Sequence, residues 1–312
     1  MDIITLAVKA VFPILALMAI GYGCRRGGLL TEELIRKVNR VVFMVFLPTL
    51  IFVNLYSTDF LDILNWKIIG FIAMSTTVVF VLGFIIVPLL EKNNPRRGVI
   101  VQGMFRGNGV YIGLPVMIAL TGKSHVGLMA LALAVIVILY NIYSVIVLET
   151  FRHSKINIGA MLRNIIKNPM IIGALAGIAA VVSGLKIPSV CMTVLDDIGG
   201  CATPLALIML GGSFVFTAAG QYKKQLFATV FVKLILAPAI FLPIAILLQF
   251  SVYEFAVVFS ILCAPTAVAT FTVAQQMGGD GKLAGQIVVC SSVCSIVTIF
   301  IWIIIMQQYV VA

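Results

Sequence analysis

The feature that most constrains this chain is its recurring apolar runs, most of them as long as a bilayer is thick. A hydrocarbon core of about 30 Å calls for about 20 apolar residues in one helix. Ten runs can be read, near residues 4–24, 38–57, 67–89, 98–121, 126–149, 169–184, 199–219, 226–249, 253–277 and 283–308, the sixth being short. The chain is 62% hydrophobic and 10% charged, against about 45–50% and about 25% in an ordinary soluble domain. No run alternates with a period of two, which sets a strand barrel aside. The expected fold is an all-α integral membrane protein with ten transmembrane helices.

A net charge of +10 would suit a nucleic-acid binder until the charges are placed. Fifteen of the 21 Lys and Arg residues fall in alternate connections. They are Arg25, Arg26, Arg36, Lys37 and Arg40, then Lys92, Arg96 and Arg97. Arg152, Lys155, Arg163 and Lys167 follow, then Lys223, Lys224 and Lys282. The other connections hold only Lys67, Lys123 and Lys186. Positive loops stay cytoplasmic, so both termini are expected outside and nucleic acid is not an expected partner. The first run follows Asp2 rather than a basic start and has no clear cleavage site, so it reads as a retained helix rather than a signal peptide. Cys24, Cys191, Cys201, Cys263, Cys290 and Cys294 form no C-x-x-C pair and read as packing residues.

The polar stretch 151–168 divides the chain. Five runs lie in residues 1–150 and five in 169–312. An odd number of crossings per half turns the second half upside down relative to the first, the parity of an inverted repeat in secondary transporters. Local echoes support it. Pro48 sits within the second run and Pro204 within the seventh, and the fourth and ninth runs are both interrupted.

The fourth is interrupted at RGNGVYIGLP. Gly107, Gly109 and Gly113 weaken the helix there. Pro115 removes a donor and disfavours helical geometry at Leu114. Asn108 lies roughly 15 Å from the start of the run, near mid-membrane. The ninth is interrupted at CAPTAVATF, where Pro265 and Thr266 reach a similar depth, with Thr270 and Thr272 following. A single kink is adequately explained by packing. Two at one depth suggest a shared cavity, because unwound backbone in hydrocarbon must be buried or wetted. Helices restarting there present N–H groups and partial positive charge, which favour an anion. Arg106 has two readings: snorkelling to the surface, or lining the cavity and drawing a carboxylate.

All eleven Asp and Glu residues fall at or near run ends, which lowers the odds of a cation as principal cargo. Asn141 is a further candidate for the cavity. Ser291, Ser292 and Ser295 read as packing residues, Lys9 and Lys233 as snorkelling, and His125 and His153 as surface residues. No nucleophile–base pair, metal cluster or phosphate loop stands out, so no enzyme, metal or cofactor is expected. The candidate substrate-binding residues are Arg106, Asn108, Gly109, Asn141, Thr266 and Thr270, with Gly107, Gly113, Pro115 and Pro265 shaping the crossover.

Four segments carry a resemblance to the auxin efflux carrier family. They are PILALMAIGYGCRRGGLLTEELIRKVNRVVFMVFLPTLIF, GNGVYIGLPVMIALTG, ATPLALIMLGGSF and CAPTAVATFTVAQQMGGDGKLAGQIVV. The resemblance implies two inverted five-helix repeats, similar to the bile-acid/sodium symporter fold, in which helices 4 and 9 are broken and cross. It implies a transport domain of helices 3–5 and 8–10 moving elevator-like against helices 1, 2, 6 and 7, often a dimer contact. It places Asn108 on a substrate carboxylate and Pro115 and Pro265 at the crossing. Arg106 has no match in the hormone carriers. The short central connection favours a prokaryotic-type organic acid permease over an auxin carrier.

Three readings follow. One is a secondary carrier of a small organic anion, a mono- or dicarboxylate, in the cytoplasmic membrane. Another is a sodium- or proton-coupled carrier of a different solute. The third is a ligand-sensing receptor, against which the lack of a soluble output domain speaks. Expected partners are the substrate anion and the lipid bilayer, with a coupling proton or sodium ion and a homodimer as further candidates.

Overall fold

The computed structural model describes residues 3–57, 65–122, 126–152, 159, 163, 166–214 and 221–310, and their side chains from Phe12 onward except those of Gln307 and Val310. Lys123, His125, His153, Lys155 and the Lys9 side chain lie outside the described residues, as do Asp2, Asp59 and Asp62. Among the described residues the chain forms twelve helices and no named strand. They are α1 (Ile3–Arg26), α2 (Glu32–Tyr56), α3 (Trp66–Leu90), α4 (Asn94–Phe105), α5 (Gly109–Thr121) and α6 (Val126–Arg152). The second half holds α7 (Pro169–Val182), α8 (Ser189–Ser213), α9 (Lys223–Leu247), α10 (Val252–Leu262), α11 (Ala269–Gln276) and α12 (Gly281–Val310). Six of them, α2, α3, α6, α8, α9 and α12, are long and apolar enough to cross a membrane.

Short polar side chains start several of these helices. Thr31, Asn65, Asn93, Asn168 and Ser251 each accept a hydrogen bond from a first-turn amide, satisfying donors that a helix leaves open. Three spans absorb a proline by one device. A π-turn covers Val42–Phe46, Gly109–Gly113 and Val232–Leu236, and Pro48, Pro115 and Pro238 follow two residues after each. The residue just before each proline donates five residues back, Leu47 to Val42, Leu114 to Gly109 and Ala237 to Val232. The widened turn shifts the ladder by one, so the missing proline donor interrupts no span. Leu114 is accordingly helical, at φ −60° and ψ −48°. The expected disturbance at Leu114 is therefore corrected: the break lies upstream, at residues 106–108.

The seventh apolar run also differs from expectation. Its helix begins at Ser189, ten residues before the expected 199, and carries Asp196 and Asp197 well inside it on its exposed face. A helix needs only one apolar stripe to pack, so hydropathy alone misplaced its start. The acidic residues are thus not all near helix ends.

The helices pack as two groups. In one, α1 lies against α8, and α2 against α7 and α8. The first contact is backbone to backbone: a Cβ on Gly21 would collide with the Ile208 carbonyl, and one on Gly211 with that of Met18. Such small-residue contacts are how helices pack closely in lipid. In the other group, α4 lies against α3, α6 and α12, and α12 against α9, α10 and α11. Basic connections gather at one end. There Arg96 pairs with Asp280 at 3.3 Å and Gln225 donates to Glu91 at 2.7 Å. Asn65 donates to Glu254 at 2.7 Å and Lys67 to the Gln249 carbonyl at 2.9 Å, tying two sparsely charged connections together.

Candidate functional site

The unwound segments of the two interrupted helix pairs, α4/α5 and α10/α11, meet. Gly107 and Thr266 form an antiparallel β-bridge. The Asn108 amide donates to the Pro265 carbonyl at 2.7 Å, and the Ala267 amide to the Arg106 carbonyl at 3.0 Å. Backbone groups that a helix would have paired are thereby paired with each other, as a dry interior demands. The Thr266 hydroxyl donates to the Gly103 carbonyl at 2.9 Å near the end of α4, and the Thr266 amide donates to Ser291 Oγ at 3.2 Å. Pro265 needs no donor here and serves through its carbonyl.

Beside this crossing lies a cavity of about 90 Å³. Arg106, Gly107, Asn108 and Gly109 line it from the α4/α5 break, and Ala267, Val268 and Ala269 from the α10/α11 break. Tyr140 and Asn141 enter from α6, and Leu47, Ile51 and Asn54 from α2. It therefore sits between the two helix groups. A second cavity of about 180 Å³ shares Asn54, Val110, Leu133 and Val137 with it. That cavity runs to Val126, at the opposite end of α6 from Arg152.

Arg106 is 5% exposed. Its guanidinium donates to Ser144 Oγ and to Asn141 Oδ1, each at 2.9 Å. It lines the cavity and does not snorkel. Among the described residues no carboxylate pairs with it, and no acidic residue lines the cavity. The Nδ2 atoms of Asn108 and Asn141 are both buried without a partner. Asn108 Oδ1 takes the Tyr111 amide at 3.4 Å, so the amide's donor end is left over. The starts of α5 and α11, from Gly109 and Ala269, add the positive ends of two helices. The unpartnered side-chain groups on this wall are donors.

The expected residues divide. Arg106, Gly107, Asn108, Gly109 and Asn141 come together at the cavity. Thr266 is fully buried with its hydroxyl bound to Gly103, and Pro265 is in the unwound segment; neither lines the cavity. The Thr270 hydroxyl is buried and unpartnered on α11, away from the lining. Gly113 packs α5 on α10, where a Cβ would come within 2.9 Å of the Ser260 carbonyl, and Pro115 lies in α5 beyond its π-turn. Other polar residues escaped the sequence, Asn54 and Thr203 of the lining among them. Tyr140 lines the cavity and carries no signal in an apolar run. Lys233 is 3% exposed and its Nζ reaches the Leu262 carbonyl at 3.4 Å, so its expected snorkelling is corrected: the amine points inward to the crossover, where the end of α10 supplies carbonyls.

Fold and site together define an all-helical, multi-pass membrane protein with a cavity where two interrupted helices cross. The chain belongs to the membrane transport protein family, whose pattern matches residues 6–161 and 153–303. This is the auxin efflux carrier family that its motifs resemble. It is 25% identical over 305 residues to an uncharacterized transporter of Methanocaldococcus jannaschii, covering 93% of this chain and 95% of that one. It is 23% identical over 300 residues to an uncharacterized transporter of Methanothermobacter thermautotrophicus, covering 94% and 96%.

Proposed function

We propose that the protein is a secondary carrier of a small organic anion, a mono- or dicarboxylate with an apolar body, in the cytoplasmic membrane. One observation carries this reading: among the described residues the unpartnered polar groups of the crossover cavity are donors, with a buried guanidinium that has no acidic partner. A carboxylate supplies the acceptors those groups lack and the charge that Arg106 lacks. Leu47, Ile51, Leu133, Ile136 and Met170 form apolar wall for the rest of the solute.

In this reading α4 with α5, and α10 with α11, each make one broken span, giving ten crossings in two inverted repeats, residues 1–150 and 169–312 with linker 151–168. The group built on α3–α6 and α9–α12 slides elevator-like past α1, α2, α7 and α8. With the basic end cytoplasmic and both termini outside, the continuation toward Val126 makes this an outward-facing arrangement.

The test is uptake of labelled carboxylates into proteoliposomes. Asn108→Ala removes one donor to a charged ligand, worth about 1.5–3 kcal/mol, and is expected to cut uptake at low substrate at least about tenfold. Unaltered uptake by the variant would remove the proposed site.

A further inference from the structure

Away from the crossing, α9 and α12 leave a groove of about 310 Å³ between them. Residue size makes it. On α12 it is lined by Cys290, Cys294 and Thr298, each one helical turn from the next, and on α9 by larger apolar side chains. Two of these, Phe227 and Phe231, stack with ring centres 5.8 Å apart and planes 15° apart, forming a stiff wall. Phe227 is 73% exposed and Cys294 is exposed as well, so the groove opens outward from the bundle. One turn past Thr298, Trp302 Nε1 donates to the Leu234 carbonyl at 2.8 Å. The residue four beyond Leu234 is Pro238, which has no N–H to offer. The indole supplies a donor there and fastens α12 to α9 at the deep end of the groove.

Length and charge say what fits. Along α9 the lining runs from Leu226 to Ile235, about 14 Å of helix. One leaflet is half of a hydrocarbon core about 30 Å thick, nearly the same depth. Lys223 and Lys224 stand just before Leu226, at the basic end of α9. Both are exposed, and among the described residues neither is paired with a carboxylate. Two carboxylates beside the start of α9 are already engaged, Glu91 by Gln225 and Asp280 by Arg96 and Tyr222. An apolar slot one leaflet deep, headed by two unpaired cations, matches a membrane lipid with an anionic headgroup. A second copy of the chain fits it worse. Docked on this face about an axis along the membrane normal, it would bring its own Lys223 and Lys224 to the same end, like charge against like.

We infer that the α9/α12 groove seats one anionic phospholipid, its chain in the slot and its phosphate on Lys223 and Lys224. The chain supplies packing between the two helices that the cysteines are too short to make. The seat lies on the helix group that holds the crossing, and it stands independently of what the crossover cavity carries.

The test is native mass spectrometry of the detergent-purified full chain, titrated with phosphatidylglycerol and with phosphatidylcholine. The wild type is expected to hold one phosphatidylglycerol per chain and to bind phosphatidylcholine more weakly. Each lysine near a headgroup is worth about fivefold in affinity, so Lys223→Gln with Lys224→Gln should weaken phosphatidylglycerol about twenty-five-fold. Arg36→Gln with Arg40→Gln removes two exposed cations from α2, at the same basic end but on the other helix group, and should leave its binding unchanged. Cys294→Phe places a ring in the slot at an exposed position and should weaken both lipids. Inorganic phosphate has no chain and should displace neither. Equal binding of the two lipids by the wild type would overturn the inference, as would a lysine variant that keeps its phosphatidylglycerol or an arginine variant that loses as much. Unaltered binding by Cys294→Phe, or displacement by phosphate, would overturn it too. A dimer that Cys294→Phe dissociates would overturn it in favour of a second copy.

Discussion

Two threonines six residues apart make a matched test of the crossover. Thr266 and Thr272 are both fully buried. The Thr266 hydroxyl donates to the Gly103 carbonyl at 2.9 Å, whereas the Thr272 hydroxyl has no partner. Valine keeps the shape of threonine and deletes the hydroxyl. Thr266→Val strands the Gly103 carbonyl at the end of α4, a loss of about 1–3 kcal/mol. Thr272→Val deletes a polar group that is buried to no benefit, so its effect should be nil or stabilising. At about 2 °C per kcal/mol for a chain of this size, Thr266→Val should lower the unfolding midpoint by about 2–6 °C, and Thr272→Val should leave it level or raise it. The assay is fluorescence-detected unfolding of both variants in one detergent, read against the wild type. Equal shifts, or a larger loss for Thr272→Val, would refute the claim that the Thr266 hydroxyl holds the broken helices together.

Other outcomes follow from other contacts. Gly211→Leu drives a side chain into the Met18 backbone and should separate α1 from α8, seen as lost folded yield on gel filtration, while Gly23→Leu, at an open position on the facing helix α1, should be tolerated. Asn39 Nδ2 donates to Gln275 Oε1 at 2.6 Å, tying α2 to α11 across the two helix groups. Losing that tie by Asn39→Ala, about 1 kcal/mol, should shift the resting population about fivefold away from this arrangement, measured by labelling of a cysteine placed at Asn54. At the basic end, burial pushes Glu91 up, but the Gln225 and Asn93 donors and nearby Arg96 outweigh it and hold the carboxyl below its ordinary 4.5. A depressed folded value means a contribution present above the unfolded value and lost as pH falls through the folded one. Glu91→Gln should therefore flatten the part of the midpoint-against-pH curve below about pH 4.5.

The sequence located the crossing because glycine, asparagine and proline act locally. Residues 106–108 and 263–268 unwind within the stretches those residue types marked. It misplaced the effect of Pro115, because a π-turn is a ladder-level accommodation that no single residue announces. It assigned Thr266 and Thr270 to the substrate, since a hydroxyl in a broken helix looks available until its partner is known. Thr266 turned out to be spent on Gly103, 163 positions away. Lys233 was read as snorkelling because its depth along α9 said nothing of which way the π-turn would face it. The start of α8 was hidden by Asp196 and Asp197, whose charges sit on an exposed helix face. Each miss concerns a long-range neighbour or a helix face, which one-dimensional pattern does not encode.

The bridge between Gly107 and Thr266 is made by peptide groups, and its flanking bonds join peptide groups too. Such lacing asks almost nothing of side-chain identity beyond clearance at Gly107. Its geometry can therefore outlast wide drift in the surrounding residues, while the wall of the neighbouring cavity is free to be rewritten around an unchanging knot.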